Sequence, residues 1–120
     1  MEIKLEMDNE VVILRLVGNL VASSADGLTE QATKLIEKKY GFILLDLGKV
    51  DFIDSSGLGA CIAINRDLVT RNGVLACAGM NENVRKVFHM TRADQKILVF
   101  DARQIGVNAL LERIHAAASR

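Results

Sequence analysis

Two adjacent serines carry the chemistry of this chain. Ser55 and Ser56 follow Asp54 and precede Gly57 and Gly59, within Asp51-Phe52-Ile53-Asp54-Ser55-Ser56-Gly57-Leu58-Gly59. The stretch joins an apolar strand-like run to a helix-like run. Hydroxyls in a first helical turn lie beside unpaired amides and a partial positive charge, where a phosphate is well stabilised. The same residue types also make an ordinary helix cap. On these residues alone the cap is the simpler reading. The doubled serine tips the balance a little toward chemistry, since one hydroxyl suffices for a cap. Glycine inside a helix costs roughly 1 kcal/mol against alanine. Two of them in a first turn imply a close approach to the backbone, either by something visiting or by the sheet underneath.

Other chemistries fit less well. A serine hydrolase needs a base oriented by a third group. The two histidines, His89 and His115, lie in no recognisable motif, and surface positions are the plainer expectation for both. Asp54-Ser55-Ser56-Gly57 is not the G-x-S-x-G elbow. Ser56-Gly57-Leu58-Gly59 lacks the spacing of a phosphate-binding P-loop. Asp46, Asp51 and Asp54 are joined by no His or Cys, so no metal site is expected. One tyrosine and four phenylalanines give no base-stacking surface.

The elements that must position the serines follow from patterning. Residues 2–7 alternate, and residues 11–17 are β-branched and stop at Gly18, which predicts a hairpin turning near Asp8-Asn9. Residues 42–47, 74–78 and 96–100 are short apolar runs, as in strands covered on both faces. Leu28, Ala32, Leu35 and Ile36 follow a helical period, with Ser23 or Ser24 as cap and Gly41 beyond the end. Leu58, Cys61, Ile62, Asn65, Leu68 and Val69 follow another, stopping at Asn72-Gly73. Gly59, Ala60, Ala63 and Ile64 cannot all share that buried face, so apolar surface is expected beside the serines. A short helix spans 81–90 and buries Val84, Val87 and Phe88. A last helix begins at Asp101, with Gln104 completing a capping box, and buries Leu110, Leu111 and Ile114.

Buried strands alternating with helices define an α/β fold with a mostly parallel sheet. The N-terminal antiparallel hairpin makes the sheet mixed, with about four helices. The 120 residues suit one domain with a real core. Lys plus Arg equals Asp plus Glu at 15 each, which gives no electrostatic case for nucleic acid or an anionic membrane. No run of about 20 apolar residues is present, so no membrane span is expected. The charged N-terminus is unlike a signal peptide. Cys61 and Cys77 sit in apolar surroundings and are expected as buried, reduced thiols in a cytoplasmic protein.

Asp54-Ser55-Ser56-Gly57-Leu58-Gly59, entered through Val50-Asp51-Phe52-Ile53, resembles the signature of the STAS family, the sulfate-transporter and anti-sigma-factor-antagonist domains. The soluble bacterial antagonists are the most similar kind. The resemblance spans nearly the whole chain, 1–120, as a single STAS domain. Gly18-Asn19-Leu20 and Ser24-Ala25 match the first strand-to-helix stretch, residues 42–47 the strand before the signature, and Val84-Arg85-Lys86-Val87-Phe88 with Met90-Thr91 the later helix.

The resemblance implies a phosphorylation-controlled partner switch without catalysis of its own. Ser55 is the acceptor. The unphosphorylated form binds an anti-sigma factor that is also a serine kinase, and a phosphoserine phosphatase resets the system. Cofactors are none, since ATP belongs to the kinase. Asp54 and Ser56 orient the hydroxyl and cap the helix. Gly57, Leu58, Gly59, Ala60 and Ala63, with Asn19, Val21 and Ser24 of the early loop, are the expected partner-facing residues. The early loop departs from the family pattern: Gly18-Asn19-Leu20-Val21 lacks two carboxylates common there. The alternative is a constitutive STAS subunit of another complex, transporter-associated or stressosome-like. A monomer is expected.

Overall fold

The computed structural model describes residues 1–118. Strand β1 (Glu2–Asp8) turns through Asn9, whose φ is +55°, into β2 (Val11–Leu20). There follow α1 (Ala22–Glu37), β3 (Phe42–Ile53), α2 (Ser55–Thr70), β4 (Val74–Ala78), α3 (Glu82–Met90), a 3-10 turn (Ala93–Gln95), β5 (Leu98–Phe100) and α4 (Arg103–Ala118). The strands lie side by side in chain order in one sheet. β1 pairs antiparallel with β2, and every later pairing is parallel. The mixed α/β architecture expected from the sequence, with four helices, is the one observed.

Alternation along the strands builds the core on both faces. Val12, Leu14 and Leu16 of β2 join Ile43, Leu45 and Leu47 of β3 under α1, α2 and α3. Val11 and Ile13 join Leu44, Ala76 and Ala78 under Val107 and Leu110 of α4. Three helices therefore cover one face and one covers the other. Among the described residues no helix is long and apolar enough to cross a membrane.

Several boundaries differ from the sequence expectation. β2 continues through Gly18, which adopts φ +116°, to Leu20. β3 extends to Ile53, well beyond its apolar run. Its second half keeps only β2 as a partner, because β4 pairs with residues 42–46 alone. The signature loop is thereby carried out past the body of the sheet. β5 is shorter than expected, as Ile97 is buried just before it and Lys96 closes the 3-10 turn.

Neither Ser23 nor Ser24 caps α1. The cap position is Val21, and Ser24 reaches back from inside the first turn to accept from the Val21 amide at 3.0 Å. Lys39, at φ +75°, makes the turn out of α1, ahead of Gly41. α4 starts at Arg103, not at Asp101. The Asp101 carboxylate accepts from Arg85 at 2.8 Å, and Gln104 donates to Asn108, so no capping box forms. Val87, Leu111 and Ile114 are half-buried.

Arg103 ties α4 to the sheet. Its guanidinium donates to Glu6 at 2.8 and 3.2 Å and to Asp46 at 3.3 Å. The hydrogen bond from Arg103 holds the Glu6 carboxyl below the usual range, and the same bond raises the pKa of Arg103. Cys61 and Cys77 are free and buried. The bond with the Cys61 thiol, followed by burial, pushes the Cys77 thiol up, as suits an inert structural thiol.

Candidate functional site

The site forms where β3 ends and α2 begins. Asp54 takes an extended backbone, φ −108° and ψ −175°, as the N-cap of α2. Its amide donates to the Leu20 carbonyl at 3.2 Å, which fixes the loop to the end of β2. One carboxylate oxygen accepts from the Gly57 amide at 2.9 Å. The other accepts from the Ala22 amide at 3.2 Å. Asp54 thus binds the amino ends of α2 and α1 together, and supplies the cap that Val21 cannot. A carboxylate between two positive helix ends is favoured by both dipoles.

This arrangement frees the serines. Ser55 and Ser56 are exposed in the first turn of α2. Neither hydroxyl has a hydrogen-bond partner among the described residues, because Asp54 has taken the capping role. The Ser55 and Ser56 amides precede the first intrahelical bond, which runs from the Leu58 amide to the Asp54 carbonyl at 2.9 Å. They are two of the unpaired donors that every helix start leaves. A phosphoryl group on Ser55 would meet these donors and the positive end of α2.

Asp54→Ala should lose both amide contacts at once. N-cap removal costs roughly 0.5–2 kcal/mol, and the bridge to α1 places this site in the upper half of that range. Denaturant unfolding of the variant checks it; a change within error would contradict the capping geometry.

The predicted partner-facing residues divide. Gly59 and Ala63 are exposed, as is Asn19, which the structure places in the last residues of β2 and not in a loop. Val21 and Ser24 are half-buried. The Ser24 hydroxyl donates to the Asn19 carbonyl at 2.8 Å and ties the end of β2 to the start of α1. The early loop and the signature do meet, through Ala22 and Asp54. Gly57, Leu58 and Ala60 are buried. A Cβ on Gly57 would overlap the Leu20 carbonyl oxygen and lie 2.8 Å from its carbon. Gly57 therefore seats the helix on β2; it does not offer the backbone to a visitor. A Cβ on Gly59 meets nothing within 4 Å, so packing does not require that glycine.

The apolar surface expected along α2 is smaller than the sequence implied. Ala60 and Ile64 are buried, because α1 packs along α2 and covers that side. Val69 is turned out instead, at 57 % exposure. Sequence reasoning also passed over Phe52, which is 53 % exposed in β3, two residues before Asp54. Its neighbours on the strand, Val50 and Ile53, are buried. The signal was an aromatic among charged residues next to the signature. Asn81 braces this end of β3, donating to the Asp51 carbonyl at 3.0 Å and the Val50 carbonyl at 3.3 Å.

Among the described residues no base is hydrogen-bonded to Ser55. His89 is exposed and bonds to Asp94 at 3.1 Å, and His115 is exposed on α4. Asp46 is committed to the Gly48 amide and Arg103.

A family model of the STAS domain matches residues 2–105. The chain belongs to the STAS domain family. It is 28 % identical over 113 residues to the anti-sigma F factor antagonist of Paenibacillus polymyxa, covering 93 % of this chain and 94 % of the relative. It is 30 % identical over 91 residues to the anti-sigma-B factor antagonist of Listeria monocytogenes, covering 75 % and 78 %. Its fold superposes on the Bacillus cell fate determinant SpoIIAA in the phosphorylated form with a TM-score of 0.72 at 22 % identity, covering 90 % of this chain and 98 % of that one.

Proposed function

We propose that this chain is an anti-sigma factor antagonist switched by phosphorylation of Ser55. The observation that carries the reading is the exposed, unbonded Ser55 hydroxyl at the start of α2, beside an aspartate that has already satisfied the cap. A hydroxyl not needed for folding is free to be modified. The named relatives are antagonists of anti-sigma factors, which supports a regulatory role over an enzymatic one.

In this reading the unmodified chain captures an anti-sigma factor and thereby frees the sigma factor. The captured partner is also the serine kinase that ends the complex by phosphorylating Ser55. A phosphoserine phosphatase restores the binding form. Ser56, Gly59, Ala63 and Asn19 form the exposed rim around Ser55, and Phe52 adds an aromatic anchor of the kind that dominates interfaces. Gly59 has no packing role in the fold, and its bare backbone lets a partner lie close to the serine. The phosphate adds about −1.5 to −2 charges. The amides of Ser55 and Ser56 offset that charge within the chain, so the domain stays folded and the partner bears the effect.

Incubation with the cognate kinase and ATP tests the acceptor. Intact mass should show one phosphate on the wild type and on Ser56→Ala, and none on Ser55→Ala. A phosphate that survives Ser55→Ala would remove the basis of the switch. A second reading is favoured by Asn19 and Val21, where carboxylates are common in the family: a constitutive subunit of a larger assembly, with no kinase. In that case Ser55→Asp would leave partner capture unchanged.

A further inference from the structure

β1 lies at the edge of the sheet. It pairs with β2 on one side, and among the described residues no strand pairs with the other. Free strand edges recruit further strands, and proteins usually blunt them with charge. β1 alternates strictly. Glu2, Lys4, Glu6 and Asp8 share one face; Ile3, Leu5 and Met7 share the other. Ile3 packs against the core, but Leu5 and Met7 are 56 % and 51 % exposed.

The charges on this edge select a register more than they block pairing. Consider two copies of β1 running antiparallel about a two-fold axis. Centring the axis on Lys4 sets Lys4 against Lys4 and Glu2 against Glu6. Centring it on Glu6 sets Lys4 against Asp8 twice but pairs only residues 4–8, with Glu6 against itself on the axis. Centring it on Leu5 sets Lys4 against Glu6 twice, Ile3 against Met7 twice, and Leu5 against Leu5. Only Glu2 and Asp8, at the ends, then face like charge. Opposite charges and apolar pairs directly across strands are stabilising, and like charges are not. A slip by one residue would also turn the apolar face the wrong way.

Contacts already present extend across this seam. Arg103 holds Glu6 at 2.8 Å, and Lys4 lies 3.5 Å from Glu2. With the axis at Leu5, Arg103 and Glu6 of one copy continue into Lys4 and Glu2 of the other, alternating in sign. We propose that β1 is the seam of a two-fold dimer of this chain, antiparallel and centred on Leu5. The partner is a second copy because the strand is complementary to itself over its full length, all seven residues pairing when the axis lies on Leu5. A seam of a single strand is small beside a standard interface, so the dimer is weak and forms with rising concentration. The monomer expected from the sequence is the opposing outcome of the test.

Analytical ultracentrifugation of the full chain over a concentration series tests the proposal. The wild-type mass should rise from monomer toward dimer. Leu5→Lys, which sets two cations across the axis at an exposed position, should move the midpoint at least tenfold higher with an unchanged melting curve. Met7→Lys, opposite Ile3, is the second variant should Leu5→Lys melt early. A spin label on Leu5→Cys should report one short distance between copies. A wild type that stays monomeric throughout would overturn the proposal, as would a dimer indifferent to both lysine variants. Protection of the β1 amides only on adding an extended peptide of unrelated sequence would also overturn it, by giving the edge to a foreign strand.

Discussion

Gly57→Ala should destabilise the chain more than any other addition of one methyl group around the signature. The new Cβ would overlap the Leu20 carbonyl oxygen, and Leu20 is backbone in β2 with its side chain fully buried. A flexible side chain would move aside cheaply; a strand carbonyl cannot. Either α2 lifts from the sheet or β2 bends. Overpacking costs typically 1–3 kcal/mol, and a rigid backbone contact belongs at the upper end. At roughly 4 °C per kcal/mol for a chain of this size, the melting point should fall on the order of 10 °C. Gly59→Ala is the matched control. Its Cβ enters open space, so the helix gains propensity, up to about 1 kcal/mol. Thermal melts of the two variants should therefore move in opposite directions. Equal shifts of one sign would contradict the packing of Gly57 on Leu20.

Phosphorylation of Ser55 should weaken capture of the anti-sigma factor about a hundredfold or more, while leaving the melting curve nearly unchanged. The asymmetry follows from where the charge sits. In the free chain the phosphate is exposed to water at a positive helix end. In a complex it must be desolvated against a surface shaped for a hydroxyl. An unpaired buried charge costs several kcal/mol, and each ~1.4 kcal/mol is tenfold in affinity. Ser55→Asp carries one charge where the phosphate carries nearly two, so its loss should fall between those of Ser55→Ala and the phosphorylated chain. That ordering separates a charge effect from a steric one. Leucine or glutamine at 55 with the same loss as aspartate would point to bulk and not to charge.

The start of α2 was legible in the sequence because two local rules agree there. Aspartate and serine are both good caps, so residue type marked the helix start; the structure gives the role to Asp54 and not to Ser56. The buried strands were legible for a similar reason: residues 74–78 are apolar throughout and 42–47 are polar only at Asp46. What escaped was tertiary. Gly57 and Gly59 look alike in the sequence, yet one meets the Leu20 carbonyl and the other meets nothing. Their difference depends on how α2 sits on β2, which no local pattern states. The cap of α1 escaped because the acceptor is distant. Asp54, thirty-two residues away, accepts from Ala22, so Val21 need not be polar. The burial of Ala60 and Ile64 depended on α1 covering α2. The second half of β3 was missed because Gly48, Lys49 and Asp51 interrupt the apolar run, although Val50 and Ile53 still face the core.

The most direct measurement is a calorimetric titration of one cognate anti-sigma factor with the same preparation of this chain, before and after kinase treatment has placed a phosphate on residue 55. Tight binding by the untreated protein, lost by two orders of magnitude once the hydroxyl is esterified and regained after phosphatase, is the result the account predicts. Identical affinities for both forms would contradict it.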